Sequence, residues 1–307
     1  MADGRDTGDT RLAVIAGLVM IAIYAAQFVA ARFSLREHLT ATDMASLRFA
    51  GAGAVFLPIV WRRGLATMKA LGWRRGLTLA ALAGLPYPLI INWGLTHAPA
   101  AHAAALCPAS IVFFSFLLSL FRESASRRRI IGVATIITGL LLFIAPARTG
   151  ASDVLFGDLL FIGSGAMFST YPILVQRWRV DPVTATASVV LLSCLPLPLL
   201  YVFAPSGLHA AAGAEIASQI VIQGLLAGAA AMFLYTYVVD RLGSQAASLF
   251  LPGVPVATVL VGMVVLGETP LAIQCVAIAI MAAGMGYSAM GRRGTREKLA
   301  VSTSAGT

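Results

Sequence analysis

The sequence predicts an all-α integral membrane protein of ten transmembrane helices, arranged as two inverted five-helix repeats. Composition, the spacing of apolar runs and an internal repeat lead to this reading. Of 307 residues, 59% are hydrophobic and 11% charged, with a mean hydropathy of +0.86; soluble domains carry about 25% charged residues. Apolar runs of roughly 17 to 25 residues, each long enough to cross a bilayer, fill most of the chain. Finally, Leu106-Cys107-Pro108, an apolar run and Glu123-Ser124 are matched about 144 positions later by Phe250-Leu251-Pro252, an apolar run and, with a one-residue offset, Glu268-Thr269.

The first span, residues 12–31, follows Arg5 and Arg11 and exceeds the roughly 7 to 15 apolar residues of a signal-peptide core, so it is expected to remain as a helix. The second, 43–61, opens on Asp43 and carries Arg48 and Pro58. The third, 76–95, contains Pro86 and Pro88; the fourth, 100–121, contains Pro108. The fifth, 130–146, follows the basic run Arg127-Arg128-Arg129. The sixth, 157–176, opens on Gly157-Asp158 and contains Pro172. The seventh, 183–204, holds Pro196 and Pro198, and the eighth, 216–239, holds Gly224 and Gly228. The ninth, 244–266, has Pro252 and Pro255, and the tenth, 271–290, has Gly284 and Gly286. Connections are short, with no room for a separate soluble domain. Residues 11–147 and 154–290 form the two repeats; residues 1–10 and 291–307 are expected to be disordered cytoplasmic tails.

A net charge of +9 could suggest nucleic-acid binding, but its distribution does not. With the amino terminus inside, 18 of the 22 Lys and Arg residues fall in cytoplasmic segments, and only Arg32, Arg36 and Arg148 fall outside. That is the positive-inside asymmetry of a multispanning protein, here in a bacterial cytoplasmic membrane with both termini cytoplasmic. The basic loops need no partner beyond the lipid bilayer, and no nucleic-acid partner is expected. Five crossings per repeat force the two halves to insert upside down relative to each other, with Glu123 cytoplasmic and Glu268 outside. Cys107, Cys194 and Cys275 lie in different spans and imply no disulfide framework. No Walker A pattern is present, and no cofactor or metal site is expected.

Five segments carry a resemblance to the drug/metabolite transporter superfamily, and within it the EamA group. They are Gln27-Phe28-Val29-Ala30-Ala31-Arg32, Leu47-Arg48-Phe49 with Pro58 beyond, Pro108 to Glu123, Gly157-Asp158, and Pro252 to Gly267-Glu268-Thr269. The resemblance covers residues 12–290. Tyr24-Ala25-Ala26-Gln27 stands where that group commonly has Trp-Gly-Ser-Asn, and Arg122-Glu123 where it commonly has Gly-Glu. The resemblance implies export of small metabolites. It also implies that the fifth and tenth helices sit away from the cavity, which makes helix ten a candidate homodimer surface.

Polar side chains at membrane depth are costly and face the bundle interior or a wet cavity. Candidate solute-binding residues are therefore Tyr24 and Gln27 in the first span, Tyr87, Asn92 and Trp93 in the third, and Ser110 in the fourth. Ser169 and Tyr171 in the sixth, Tyr235 in the eighth and Ser248 in the ninth complete the set. Pro108, Pro252 and Pro255 are candidate hinge or cavity-lining positions, since each removes a backbone donor and can free a carbonyl. Arg48 is the one basic residue committed to a span. It either anchors a substrate carboxylate or pairs structurally, with Asp43 one turn away as partner. His97 and His102 border the turn between spans three and four and read as exposed loop histidines without a nearby acid.

All thirteen acidic residues fall in tails, loops or terminal helix turns, which argues against a mid-membrane carboxylate relay and against a counter-ion for bulky cations. The predicted function is a non-enzymatic secondary transporter exporting small-molecule solutes such as amino acids or related zwitterions by alternating access. A multidrug or cationic-compound efflux carrier is the alternative, with a channel or an intramembrane enzyme behind it.

Overall fold

The computed structural model describes residues 3–63, 71–120, 127–146, 152–231, 233–235, 237–238, 241–242 and 250–290. Among them there is no strand. The helices are α1 (Asp3–Glu37), α2 (Ala41–Arg63), α3 (Trp73–Ala83), α4 (Pro86–His97), α5 (Ala100–Leu120), α6 (Arg127–Ile144), α7 (Ser152–Arg177), α8 (Pro182–Cys194), α9 (Leu197–Phe203), α10 (Gly213–Gln219), α11 (Gly253–Val265) and α12 (Ala272–Met290). A π-helical stretch, Ile220–Ala230, continues α10. Seven helical segments among the described residues are long and apolar enough to cross a membrane, three of them composite: Trp73–His97, Val183–Phe203 and Gly213–Tyr235. The protein is a multi-pass membrane protein.

Local chemistry sets the element ends. Thr40 and Asp43 cap α2 reciprocally: the Asp43 N–H donates to Thr40 Oγ1 at 3.2 Å, and the Thr40 N–H donates to Asp43 Oδ2 at 2.9 Å. Pro86 and Pro182 open α4 and α8, where a missing N–H costs nothing. The break between α3 and α4 is held by Ser193 of α8, whose Oγ accepts the Leu85 N–H at 3.0 Å. A Cβ on Gly84 would collide with that oxygen, so only glycine lets the strap approach.

Three expectations need correction. Residues 3–10 are helical, extending α1 well before the predicted span. The predicted ninth span is described as a helix only from Gly253 onward, with Pro252 at its N-cap and Pro255 in its first turn. These prolines stand at the start of the described helix. By contrast, α5 runs straight through Pro108. Pro108 and Pro252 are therefore not equivalent hinges, because proline is cheap in a first turn and disruptive only in an interior. Residues 1–2 and 291–307 lie outside the described residues.

The packing of helices follows an exchange rule. α6 pairs with α12; α5 packs on α7 while α11 packs on α1; α2 packs on the π stretch while α3 packs on α8; and α4 packs on α7 while α1 packs on the π stretch. Replacing each predicted span by the one five places away turns each of these contacts into another. Glycines allow the closest approaches. A Cβ on Gly51 of α2 would lie 2.8 Å from the Gly224 Cα and 2.8 Å from the Ile220 carbonyl oxygen. On α12, a Cβ at Gly284 would lie 2.8 Å from the Gly132 carbonyl oxygen of α6. The Gly284 face is thus used inside the chain.

Candidate functional site

The interior cluster forms around Arg48. Its Nη1 donates to Gln27 Oε1 at 3.2 Å, and the hydroxyls of Tyr24 and Tyr87 come within electrostatic reach of the guanidinium. Arg48, Tyr24, Gln27 and Tyr87 are each only partly buried, so some of their surface is left for contact. Tyr87 stacks on Phe168 of α7 with ring centroids 4.9 Å apart, and Phe168 in turn meets Tyr171 at 5.7 Å. Tyr235 approaches Tyr24 from the eighth predicted span. Among the described residues no carboxylate pairs with Arg48. The expected pairing with Asp43 is not made.

Asp43 is instead the knot of a separate network. Its fully buried carboxylate accepts hydrogen bonds from the Thr40 N–H and hydroxyl, the Ser206 hydroxyl at 2.8 Å, the Gly207 N–H at 2.8 Å and the Tyr201 hydroxyl at 3.2 Å. It ties the segment following α9 to the start of α2, which satisfies the carboxylate without any cation.

Other sequence candidates fall elsewhere. Ser110 is buried and donates back to the Leu106 and Cys107 carbonyls at 2.6 and 2.9 Å; it also closes on Gly165 of α7. Its hydroxyl is thereby spent on its own helix, while the carbonyl that Pro108 leaves without an N–H partner is that of Ala104. Ser169 likewise donates to the Ala166 carbonyl at 2.7 Å. Tyr171 bonds toward Thr186 of α8. Asn92 is buried near the middle of α4. Trp93 is half exposed and packs on His97 and Phe156, an outward aromatic group rather than a cavity wall. Ser248 and Glu123 lie outside the described residues.

Sequence reasoning passed over two glutamines. Gln223 Nε2 donates to the Gln27 carbonyl at 2.8 Å, and Gln219 Nε2 donates to the Ala30 carbonyl and Ser34 Oγ, both at 2.9 Å. They strap the π stretch to α1 directly behind Gln27. Their spacing of four within an apolar run was the available signal.

At one end of the bundle Glu268 ties three elements together. Its carboxylate bonds Arg32 Nε at 3.2 Å, Arg36 Nη2 at 2.6 Å and the Ala100 N–H at 3.0 Å, so it caps α5 as well as pairing two cations of α1. Arg32 also donates to the Leu95 carbonyl. Close by in sequence, His102 is buried rather than exposed as expected. Its Nδ1 lies 2.7 Å from Asp158 Oδ1, and its Nε2 lies 3.0 Å from Gln274 Nε2. The sequence hid this pair because its members are 56 positions apart. Among the described residues no cluster suited to a metal ion occurs.

The model of the EamA-like transporter family matches twice, over residues 11–145 and 155–289. An uncharacterized transporter of Archaeoglobus fulgidus is 24% identical over 259 residues, which cover 81% of this chain and 88% of that one. A second from the same organism is 25% identical over 81% and 87%. A probable terminal-alkyne amino-acid exporter of Streptantibioticus cattleyicolor is 30% identical over 69% of this chain and 72% of its own. A protein of known crystal structure superposes with a TM-score of 0.61 at 19% identity, over 92% of this chain and 99% of that one, a likeness of fold. With both halves matched by one family model and a helical membrane fold to go with it, the chain belongs to the EamA-like transporter family.

Proposed function

We propose that the protein exports amino acids or closely related zwitterions by alternating access between two inverted five-helix repeats, residues 11–147 and 154–290, in a bacterial cytoplasmic membrane with both termini cytoplasmic. The observation that carries this reading is Arg48: a guanidinium inside the bundle whose described partner is the neutral amide of Gln27. Burying an uncompensated cation costs several kcal/mol, by an order-of-magnitude argument. Such a charge is retained where a ligand supplies the anion, and a guanidinium fork suits a carboxylate. The faces of Tyr24, Tyr87 and Phe168 offer the α-ammonium group a cation–π surface. A central cation opposes lipophilic cationic drugs as cargo. The name of the Streptantibioticus relative points the same way.

The exchange rule in the packing supports the inverted repeats, because α6 against α12 and α2 against α8 are the contacts a pseudo-twofold axis in the membrane would map onto themselves. An intramembrane enzyme is disfavoured. Ser110 and Ser164 spend their hydroxyls on carbonyls of their own helices, and Gln274 occupies the ring nitrogen of His102 that could act as base. A homodimer through α12 would use its exposed apolar residues, among them Ile273, Val276 and Tyr287.

Counterflow tests the proposal. Vesicles containing the purified full chain are preloaded with unlabelled L-amino acids and challenged with single labelled amino acids or a cationic dye. Amino-acid counterflow is expected, lost in Arg48→Gln, partly kept in Arg48→Lys and unchanged in Trp93→Ala. Extrusion of the dye alone, or full counterflow in Arg48→Gln, overturns the reading.

A further inference from the structure

The buried pair of His102 and Asp158 has no role in holding a solute at Arg48, and its hydrogen bonds determine its protonation. Gln274 Oε1 accepts the Leu271 N–H at 3.0 Å, which fixes the amide so that Nε2 faces the imidazole. An amide nitrogen only donates, so His102 Nε2 must be an acceptor and the ring proton must sit on Nδ1. That proton is donated to Asp158 Oδ1 at 2.7 Å. The imidazole is thus neutral, and Asp158, fully buried, has its first oxygen taken up as an acceptor, so a proton on the carboxyl group can sit only on the other. Its second oxygen, Oδ2, is buried with no hydrogen-bond partner.

A buried carboxyl group with an unused oxygen and no cation beside it is costly to hold in its charged form. We propose that Asp158 is a proton-binding site that couples the conformational cycle of this transporter to protons, with His102 and Gln274 as positioning residues. An incoming proton forms an O–H bond at Oδ2, and the site passes from one negative charge to none. The other lone pair in the cluster, on His102 Nε2, is already taken by Gln274.

The surroundings leave this charge to itself. The ring of Phe143 from α6 covers the imidazole edge-on at 4.6 Å. On α7, Asp153 is exposed; on α12, Cys275 is exposed. Lower on α5, Cys107 pairs with Ser164 of α7 at 3.6 Å. His97 of α4 turns to Phe156 and Trp93, and Glu268 is committed to Arg32, Arg36 and the Ala100 N–H. Among the described residues, no other charged side chain bonds to the pair.

Its position gives the proton something to control. His102 and Phe143 belong to the first half of the chain, Asp158 and Gln274 to the second, and His102 lies two residues beyond the N–H that Glu268 caps. Opening that end would wet Asp158 and favour its charged form; closing it buries the group and favours the neutral form. Proton uptake therefore stabilises the sealed state, and release favours opening.

Two measurements on the full chain in lipid vesicles, neither needing a substrate, test this. In infrared difference spectra between about pH 8 and pH 6, above the range in which exposed carboxylates take up protons, a protonated-carboxyl C=O band should appear. Asp158→Asn should lose it, and Gln274→Leu should weaken it, because freeing His102 Nε2 creates a competing proton site. Second, a cysteine placed at Ala100 should react with an impermeant maleimide more slowly at low pH than at high pH, after correction for the reagent; Asp158→Asn should react slowly at both. A band that survives Asp158→Asn, or equal pH dependence with and without Asp158, overturns the proposal. Should Asp158→Asn fail to fold, an unchanged band in Gln274→Leu overturns it instead. The inference rests on the alternating-access reading but not on the choice of cargo, so failure of amino-acid counterflow would leave it standing.

Discussion

Replacing Glu268 by Gln should loosen the sealed end of the bundle by a calculable amount. The Arg32 and Glu268 side chains are 10% and 11% exposed, so their 3.2 Å contact is largely shielded from solvent; a hydrogen bond between charged groups there contributes about 1.5 to 3 kcal/mol. Arg36 is 40% exposed, and its pairing is screened to under about 1 kcal/mol. A neutral amide of the same shape can still meet the Ala100 N–H and one arginine, with bonds roughly half as strong. The net loss is about 1 to 2 kcal/mol, or a factor of about 5 to 30 in the opening equilibrium. Single-cysteine protein with the reporter at Ala100, whose side chain is buried beside the latch, would read this as an equally faster maleimide reaction. Added salt should speed the parent protein modestly, because only the Arg36 arm is exposed to screening. If Glu268→Gln reacts at the parent rate, Glu268 does not hold this end closed.

Two further outcomes concern stability. Asp43→Ala strands the Gly207 N–H and the Ser206 and Tyr201 hydroxyls; thermal unfolding in detergent should show a loss of about 3 to 5 kcal/mol, the range for breaking a buried charged network. Gly51→Val forces α2 away from the π stretch and should cost about 1 to 3 kcal/mol by the same assay, while Gly163→Ala, where a Cβ meets open space, should cost far less.

Much of the fold was legible because burial in a bilayer leaves a one-dimensional trace: a helix must be apolar for its whole crossing. The predicted fourth span, 100–121, and tenth, 271–290, match α5 and α12 nearly to the residue. Where hydropathy is silent, the reading slipped. Nothing apolar distinguishes residues 3–10, yet they are helical, and a strongly apolar stretch before Gly253 concealed a helix start at Pro252. Tyr24, Gln27, Tyr87 and Arg48 were recognisable as polar groups at depth. Which of them meet was not, because Arg48 had a closer acid in sequence than in space. That Ser110 and Ser169 bond carbonyls of their own helices was not legible either, because a serine in an apolar helix can satisfy itself on its own backbone. Asp158 looked like a helix-end acid and is fully enclosed, since its partner arrives from another span.

The contact between Gly51 and Gly224 has a mechanical meaning. Where two backbones touch without intervening side chains, the helices can roll over each other while the distance between their axes is pinned by hard contact. The exchange-related contact, α3 on α8, is cushioned: a Cβ on Gly76 would meet the flexible Leu192 side chain at 3.1 Å, an obstacle that can swing aside. The two halves therefore share a topology but not a stiffness. A force that slid these helices together would meet a hard stop at Gly51 and a yielding one at Gly76, like a door with one fixed pin and one sprung catch.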